Sequence, residues 1–476
     1  ALVSPGDHPQ IASSTFNPAY TVNRYWTLIN NGVAGFTSYD AVFNFAGGDL
    51  DPGTDPFSLV AGNYDGVTWT YPAAGTRTIT SIQATGLTSF GDFQLGVFVA
   101  IYRSAGTGEW IQASTWEILA GASWIAAPSS PSAGSGTINI LATHTVTLTS
   151  GLSADELTVD AGGTLILSDT LTLSDGTGND LLVNGTIICS GANIITGAGS
   201  FVMNPLSAIE IGSPQGIASD GSSGSIQVSS PTFDQTSDYT YAGTEAQVTG
   251  TGLPASINNL TINNSTGVSL GNPVTINGTL ILTDGGFTIN GTLAFQNSDT
   301  PVSRGAGSIS TSPTANLVFG TAGNTGGAAF TVPAATFTSD PTITNLTINR
   351  TNSLTLNEQL LSVRGVVLCN GPLITNNNLI LLSDASGTAL IDGSGNGTIS
   401  GNVTMQRYLP QGFGYKYISS PFASSAVSEL DDDIDLAFWY PTLYAYDESR
   451  SSSGWVAHNN LADPLSPLSG YAANFG

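Results

Sequence analysis

A ten-residue phrase occurs three times in this chain and constrains its fold more than any other feature. The copies lie at residues 183–192 (VNGTIICSGA), 276–285 (INGTLILTDG) and 363–372 (VRGVVLCNGP). Each has an apolar residue, a polar residue and a glycine, then a run of alternating residues and a second glycine. Glycines permit tight corners, and alternating side chains stack on those of the neighbouring coil. The phrase therefore predicts a parallel β-solenoid.

A shorter phrase precedes each copy, at residues 156–159 (ELTV), 259–262 (NLTI) and 345–348 (NLTI). Its copies begin 103 and 86 residues apart, so we expect units of several coils that tolerate insertions. Cys189 and Cys369 hold one position in two copies of the long phrase, where the third copy has Leu282. A position that accepts leucine or cysteine is a core position, so we expect buried free thiols rather than a disulfide.

The rest of the chain also has the pattern of β-structure. Alternating runs such as residues 145–148 (TVTL) recur throughout, and no stretch has apolar residues at the helical period. Although Gly (57 residues) and Pro (23) are frequent, hydrophobic residues make up 40% of the chain, enough to build cores. We therefore predict an all-β protein.

The repeats divide the chain into three parts. Residues 1–103 lack the phrase and have aromatic-rich runs separated by Gly, Pro and Asp, which is typical of an antiparallel β-sandwich. Residues 104–404 form the predicted solenoid (β-helix), with Trp110 and Trp116 placed to cap its first coil and a loop or linker at residues 128–136. Residues 405–476 predict a second, incomplete sandwich module.

Charge is scarce and strongly acidic. Nine Lys and Arg residues, with Lys416 the only lysine, stand against 34 Asp and Glu, for a formal net charge of −25. This argues against a nucleic-acid partner, which requires basic clusters. No apolar run is long enough to span a bilayer, so we expect no membrane insertion. The acidity favours solubility outside the cell.

The pattern of titratable residues does not predict an enzyme. Acids in the solenoid are separated and mostly adjoin Gly or Ser, where Asp commonly stabilises turns, and its only basic residues are Arg304, Arg350 and Arg364. The three histidines, His8, His144 and His458, fall in three different parts and accompany no nucleophile motif. We expect no catalytic site and no organic cofactor.

Two acidic segments are candidate calcium sites. Asp49, Asp51 and Asp55 surround a glycine turn, an arrangement that can gather oxygen ligands, although the full EF-hand pattern is absent. Residues 429–435 hold five acids, among them Asp431, Asp432, Asp433 and Asp435. Solvated loops are the alternative for both segments.

Tryptophans are the other candidate ligand-binding residues. Exposed tryptophans can stack on sugar rings, whereas buried ones pack in cores or between modules. The sequence leaves both roles open for six of them, which are Trp69, Trp110, Trp116, Trp124, Trp439 and Trp455.

Spaced phrases in all three parts of the chain carry a further signal. The N-terminal phrases are residues 6–11 (GDHPQI), 21–28 (TVNRYWTL), 76–78 (TRT) and 84–96 (ATGLTSFGDFQLG). Those of the solenoid opening are 108–110 (GEW), 114–117 (STWE), 143–148 (THTVTL) and 157–165 (LTVDAGGTL). Those of the C-terminal module are 406–409 (QRYL), 417–421 (YISSP), 443–448 (LYAYDE), 454–455 (GW) and 470–471 (GY). Together these phrases resemble modules of giant secreted surface proteins of Bacteroidota.

The resemblance implies export by the type IX secretion system and a role as adhesin, fibre or stalk at the cell surface. The chain departs from such proteins in having no C-terminal sorting domain and in ending inside modules. We therefore expect a segment of a longer polypeptide or a processed subunit.

Together these features predict an extracellular structural protein. We expect a subunit of a surface filament or adhesin stalk that self-associates through its end modules, for example by β-strand addition. The alternative is a β-helix protein that binds or cleaves carbohydrate, such as surface glycans.

Overall fold

The fold is nearly all-β, with 44% of residues in strands and 3% in helices, which confirms the predicted class. The computed structural model describes residues 1–120, 123–127, 129–132, 135–176, 178–297, 299–320, 327–338, 341–358, 360–410, 412 and 414–475. The linker predicted at residues 128–136 lies partly outside these residues. No helix in the described part of the chain is long and apolar enough to cross a membrane.

The chain divides into two compact units. The first comprises Ala1–Leu379 and Ile391–Val403, and the second comprises Ile380–Leu390 and Thr404–Gly476. The N-terminal module and most of the solenoid belong to the first unit. Four short 3-10 helices interrupt the strands, at Ile11–Ser13, Gly47–Asp49, Ala113–Thr115 and Val427–Leu430.

The N-terminal module is an antiparallel sandwich, as predicted. One sheet has the strand order β1-β2-β8-β4-β5 and the other β3-β7-β6. Alternate residues of both sheets, including Val22, Trp26, Phe43, Ile82 and Phe93, form its core. The strands are β1 (Leu2–Pro5), β2 (Phe16–Leu28), β3 (Tyr39–Asn44), β4 (Val60–Tyr64), β5 (Trp69–Thr70), β6 (Ala73–Thr78), β7 (Ser81–Leu87) and β8 (Gly91–Phe98).

Two buried tryptophans lie at the first coil of the solenoid. Trp110 and Trp116 are buried with ring centroids 4.9 Å apart, and the indole N–H of Trp116 donates to the carbonyl of Trp110 at 2.8 Å. The hairpin formed by Trp116–Ala120 and Ser123–Ala126 lies antiparallel to the strand Tyr102–Ser104. It protects an edge that would otherwise be open to pairing. The strands of this cap are β9 (Tyr102–Ser104), β10 (Gly108–Glu109), β11 (Trp116–Ala120) and β12 (Ser123–Ala126).

The solenoid has about 12 coils, each built from short strands in three parallel stacks. Its strands are β13 (Ile138–Ile140), β14 (Thr145–Leu148), β15 (Leu152–Ala154), β16 (Leu157–Val159), β17 (Thr164–Leu167), β18 (Leu171–Leu173), β19 (Leu181–Val183), β20 (Thr186–Cys189), β21 (Ile195–Gly197), β22 (Phe201–Met203), β23 (Ala208–Ile211), β24 (Ile226–Val228), β25 (Asp238–Tyr241), β26 (Gln247–Val248), β27 (Ser256–Ile257), β28 (Leu260–Asn263), β29 (Val268–Ser269), β30 (Val274–Ile276), β31 (Leu280–Asp284), β32 (Gly286–Ile289), β33 (Thr292–Phe295), β34 (Val302–Arg304), β35 (Ser308–Thr311), β36 (Asn316–Phe319), β37 (Phe330–Thr331), β38 (Thr342–Ile343), β39 (Asn345–Ile348), β40 (Leu354–Thr355), β41 (Leu361–Val363), β42 (Val366–Cys369), β43 (Leu373–Ile374), β44 (Leu379–Leu381), β45 (Ser383–Asp384), β46 (Gly387–Thr388), β47 (Leu390–Asp392), β48 (Ile399–Ser400) and β49 (Val403–Met405).

The three stacks follow one another in order around each coil. The first contains β13-β16-β19-β22 and then β27-β30-β33-β36-β39-β42. The second contains β14-β17-β20-β23-β25-β28-β31-β34 and then β37-β40-β43-β48. The third contains β15-β18-β21-β24, then β26-β29-β32-β35, then β38-β41. Inward side chains form ladders along each stack, such as Leu167, Cys189 and Ile211.

The long phrase marks a corner and the strand after it, but the corner differs between copies. Cys189 and Leu282 lie in the second stack, whereas Cys369 lies in the first. All three are buried and both thiols are free, as predicted. The glycine of the phrase is required because a Cβ at Gly185 would collide with the carbonyl oxygens of Asp160 and Gly163.

The C-terminal unit contains one four-stranded antiparallel sheet, in the order β50-β53-β51-β52. Its strands are β50 (Tyr415–Ile418), β51 (Leu443–Tyr446), β52 (Trp455–Ala457) and β53 (Tyr471–Asn474). One face packs on a small core of Val427, Ile434, Leu443, Leu465, Tyr471 and Ala473. Two connecting segments thus cover this face, and among the described residues the incomplete sandwich of the sequence prediction is a single sheet with one covered face.

Candidate functional site

The three acids of the N-terminal loop tie it to strand β2. The Asp51 carboxylate accepts hydrogen bonds from the backbone N–H of Thr21 at 2.8 Å and from the Asn23 amide at 2.7 Å. Asp49 accepts one from the backbone N–H of Ala46, which lowers the pKa of Asp49, and pairs with Arg24 at 2.7 Å.

Asp55 completes its own turn. Its carboxylate accepts hydrogen bonds from the Phe57 N–H at 3.0 Å and the Ser58 hydroxyl at 3.1 Å. Each acid of this loop therefore has separate partners that stabilise the loop.

The acids of residues 429–435 extend from a short 3-10 helix. Asp431, Asp432, Asp433 and Asp435 are exposed, while Ile434 between them is buried in the small core. Asp435 accepts a hydrogen bond from the N–H of Ala437 at 3.0 Å.

The acids of the two segments are not grouped as metal ligands in the part of the chain that the structure describes. Among the residues that the structure describes, no three His, Cys, Asp or Glu side chains are grouped so that they could hold a metal ion. The geometry supplies turn-stabilising roles instead, and calcium binding at either segment stays a prediction.

Two solenoid acids on neighbouring coils come together. Asp155 and Asp180 precede β16 and β19, which pair in register, and their carboxyl groups share a hydrogen bond. Burial, the hydrogen bond and repulsion from Asp180 raise the pKa of Asp155 to about 6. Burial opposes ionisation of Asp180 too, but hydrogen bonds from Ser200 and Gly176 outweigh it and lower its pKa to about 2.

This acid pair shares one proton below about pH 6 and was not predicted from the sequence. The signal was the position of each acid just before a register-paired strand. The hydroxyl of Ser200, which comes just before the next strand of the same stack, also donates to Asp180 at 2.9 Å, so the pair belongs to a hydrogen-bonded link between coils.

The three histidines lie in separate environments. His8 is buried, with Nε2 3.1 Å from the Asp92 carboxylate and Nδ1 accepting a hydrogen bond from the Gln10 N–H. His144 contacts the Ser104 hydroxyl at 2.8 Å, and His458 lies 3.4 Å from Asp463. Each histidine therefore fixes local structure within its own part.

The tryptophans separate into packing and exposed residues. Trp110 and Trp116 are core residues, and Trp69 packs on His8 and Phe16. Arg103 lies over the ring of Trp124 at 4.3 Å. Trp439 and Trp455, by contrast, are 85% and 40% exposed, and both belong to the C-terminal unit.

Trp455 belongs to an exposed aromatic surface. Side chains alternate between the faces of a strand, so the face opposite the small core receives the other residues of each strand. We call this surface the aromatic face, and it consists of Tyr415, Tyr417, Tyr444, Tyr446 and Trp455.

The rings of this face form a nearly continuous row. Ring centroids are 5.7 Å apart for Tyr415 and Tyr444, 6.4 Å for Tyr444 and Trp455, and 5.1 Å for Trp455 and Tyr446. Each of these pairs is T-shaped, with interplanar angles of 64°, 77° and 69°. Tyr417 is 79% exposed. Such a surface can stack on flat apolar groups of a ligand while its polar tips remain in water.

No family of known proteins, no curated protein and no solved structure matches this chain. The aromatic face is the surface whose exposure most clearly indicates binding, because large exposed aromatic patches commonly mark interaction sites.

Proposed function

We propose that this protein is a structural subunit of an extracellular surface fibre, in which the solenoid is a spacer and the flanking modules join neighbouring subunits. We also propose that it is a surface protein of the type IX secretion kind, because its sequence phrases resemble those of such proteins. In an adhesin stalk the solenoid would be the same spacer, but the subunits would not polymerise.

The solenoid suits a spacer. About 12 coils at about 4.8 Å each give about 58 Å of stacked coils. Its buried ladders make each coil depend on its neighbours, which resists local opening.

The observation that carries the proposal is an open sheet edge in each flanking module. Among the described strands, β1 pairs with β2 alone, and its Leu2 and Val3 side chains are 62% and 54% exposed. Strand β52 is the last strand of the C-terminal sheet and carries no charged side chain. Monomeric proteins usually protect such edges, because an open edge pairs readily with another strand.

The donors on the open side of β52 can be identified from its pairing. His458 N–H donates to the Leu443 carbonyl and Asp447 N–H to the Gly454 carbonyl. Because antiparallel residues alternate in direction, the N–H groups of Trp455 and Ala457 then point away from β51. A strand of a second molecule that pairs there would give a head-to-tail contact, which extends into a filament when it does not close.

Sedimentation velocity over a range of protein concentrations tests this proposal. Ala457→Pro removes one outward donor and leaves the pairing with β51 intact, since proline is tolerated at an edge. Ala457→Thr keeps the N–H group and is the matched control.

We expect concentration-dependent assembly of the wild type and of Ala457→Thr, and weaker assembly of Ala457→Pro at an unchanged melting temperature. A wild type that remains monomeric at every concentration would contradict the fibre. Equal assembly of all three proteins would contradict the assigned edge.

A further inference from the structure

The composition of the aromatic face differs from that of the buried face of the same sheet. The buried face places Leu443, Tyr471 and Ala473 in the small core and Ala445 against it. The aromatic face has tyrosine and tryptophan at the corresponding outward positions of β50, β51 and β52. Aliphatic side chains suit a dry interior, whereas tyrosine and tryptophan pair an apolar ring with a polar tip and suit a wet contact.

The row of rings is longer than one small ligand. It crosses the sheet from β50 to β52, and three strand spacings of about 4.8 Å make about 14 Å. Ala472, on the strand between Tyr417 and Tyr444, is only 4% exposed and is therefore covered by its neighbours. A row of this length fits an extended chain of rings better than a single ring.

Parts of the surface are held in place before any ligand arrives. The Tyr415 hydroxyl donates to the Pro441 carbonyl at 3.0 Å, and the Asn474 amide donates to the Tyr440 hydroxyl at 3.3 Å. Fixed aromatic side chains lose little conformational freedom on binding, which favours affinity.

Charge defines the class of ligand. None of the outward positions of the four strands carries a charge, these being Tyr415, Tyr417, Tyr444, Tyr446, Trp455, Ala457, Ala472 and Asn474. The chain as a whole has a net charge of −25, so an acidic polymer would be repelled at long range.

We propose that the aromatic face binds an extended neutral polysaccharide, whose sugar rings pack against Tyr415, Tyr444, Trp455 and Tyr446. This binding site goes beyond fibre assembly, because it uses side chains on the outer face of the sheet, whereas the fibre contact uses backbone N–H groups at the edge of β52.

Affinity electrophoresis of the full chain tests the site. Native gels contain hydroxyethyl cellulose, xyloglucan or galactomannan as neutral polysaccharides, and polygalacturonate as the acidic comparison. Trp455→Ala removes the ring in the middle of the row, and Trp455→Phe keeps an aromatic ring there. Phe57→Ala is the control, because Phe57 is an exposed aromatic residue of the N-terminal module.

We expect retardation of the wild type by at least one neutral polysaccharide and none by polygalacturonate. Trp455→Ala should bind about tenfold more weakly, the effect of losing one stacked aromatic contact. Trp455→Phe should restore most of the binding, and Phe57→Ala should bind like the wild type.

A second measurement needs no variant. Titration of the wild type with a soluble oligosaccharide of the retarding polymer should shift the tryptophan emission to shorter wavelength, because a stacked sugar excludes water from Trp455.

Four results would overturn the proposal. Three of them are no retardation by any neutral polysaccharide, retardation by polygalacturonate alone, and equal losses for Trp455→Ala and Phe57→Ala. A wild-type dimer that Trp455→Ala converts to monomer, without saccharide binding, would assign the face to a second copy of the chain and would also overturn it. None of these results depends on Ala457, so failure here is distinguishable from failure of the fibre.

Discussion

Replacing Asp155 with asparagine tests the shared proton between two coils of the solenoid. In the folded protein the pKa of Asp155 is raised from its ordinary value of 3.8 to about 6, first by burial and then by Asp180. The folded state therefore holds this proton more tightly than the unfolded chain does. The resulting stability is fully present below about pH 4 and is lost as the pH rises through about 6.

The size of the effect follows from the pKa difference. A difference of about two between folded and unfolded states corresponds to about 3 kcal/mol. Asp155 is partly exposed, and solvent screening reduces this to about 1.5–2.5 kcal/mol. Asparagine is neutral at every pH, keeps an oxygen that can accept the Glu156 N–H, and can donate to Asp180.

We therefore expect Asp155→Asn to be more stable than the wild type at pH 7.5 by about 1.5–2.5 kcal/mol, and equal to it near pH 4. Urea denaturation followed by circular dichroism at both pH values measures this. Asp169→Asn is the matched control, because Asp169 also accepts the N–H of the next residue, Thr170, at 2.7 Å. Equal stability of variant and wild type at pH 7.5, or a less stable variant, would refute the shared proton.

Three further predictions concern the core. Leu282→Ala should destabilise the solenoid by about 2–5 kcal/mol, whereas Ile281→Ala on the outward side of β31 should change the melting temperature little. Equal effects of the two substitutions would mean that the inward and outward residues of β31 are wrongly assigned. Trp116→Ala should lower the free energy of unfolding by about 3–5 kcal/mol and should speed amide hydrogen exchange first in β13 and β16. Equally faster exchange along the whole solenoid would argue against a cap at this end. Burial raises the pKa of Cys189 to about 12 and of Cys369 to about 11, so neither thiol should react with a thiol reagent until denaturant is added, and rapid reaction of the native protein would contradict their placement.

The solenoid could be predicted because its physical requirements are local. The alternation of inward and outward residues in Thr186–Cys189 and the glycine at 185 each serve one strand and one corner. The same holds for the two tryptophans of the cap, whose size and position after the first strands indicate a closing role.

The position of each phrase around the coil could not be predicted from the same pattern. Every corner places similar demands on the chain, so the phrase at 183–192 and the one at 363–372 look alike although they turn different corners. Insertions such as residues 212–225, between two strands of one coil, change the number of residues per coil. Only the pairing of the strands then shows to which stack the next strand belongs.

The two sites that emerged from the structure depend on contacts that are distant in sequence. Asp155 and Asp180 meet because Leu157 and Leu181 are register partners. In the C-terminal sheet, Tyr471 is buried and Tyr446 is exposed, although both lie in strands whose side chains alternate between the two faces. The choice of face depends on which side Val427, Ile434 and Leu465 cover, and alternation alone does not determine this.

Negative-stain electron microscopy of the purified wild type beside Ala457→Pro tests the central claim most directly. A fibre subunit should give long filaments of the wild type and, at the same concentration, fewer and shorter filaments of the variant. Separate particles of both proteins at high concentration would contradict the claim that this chain assembles through the edges of its flanking modules.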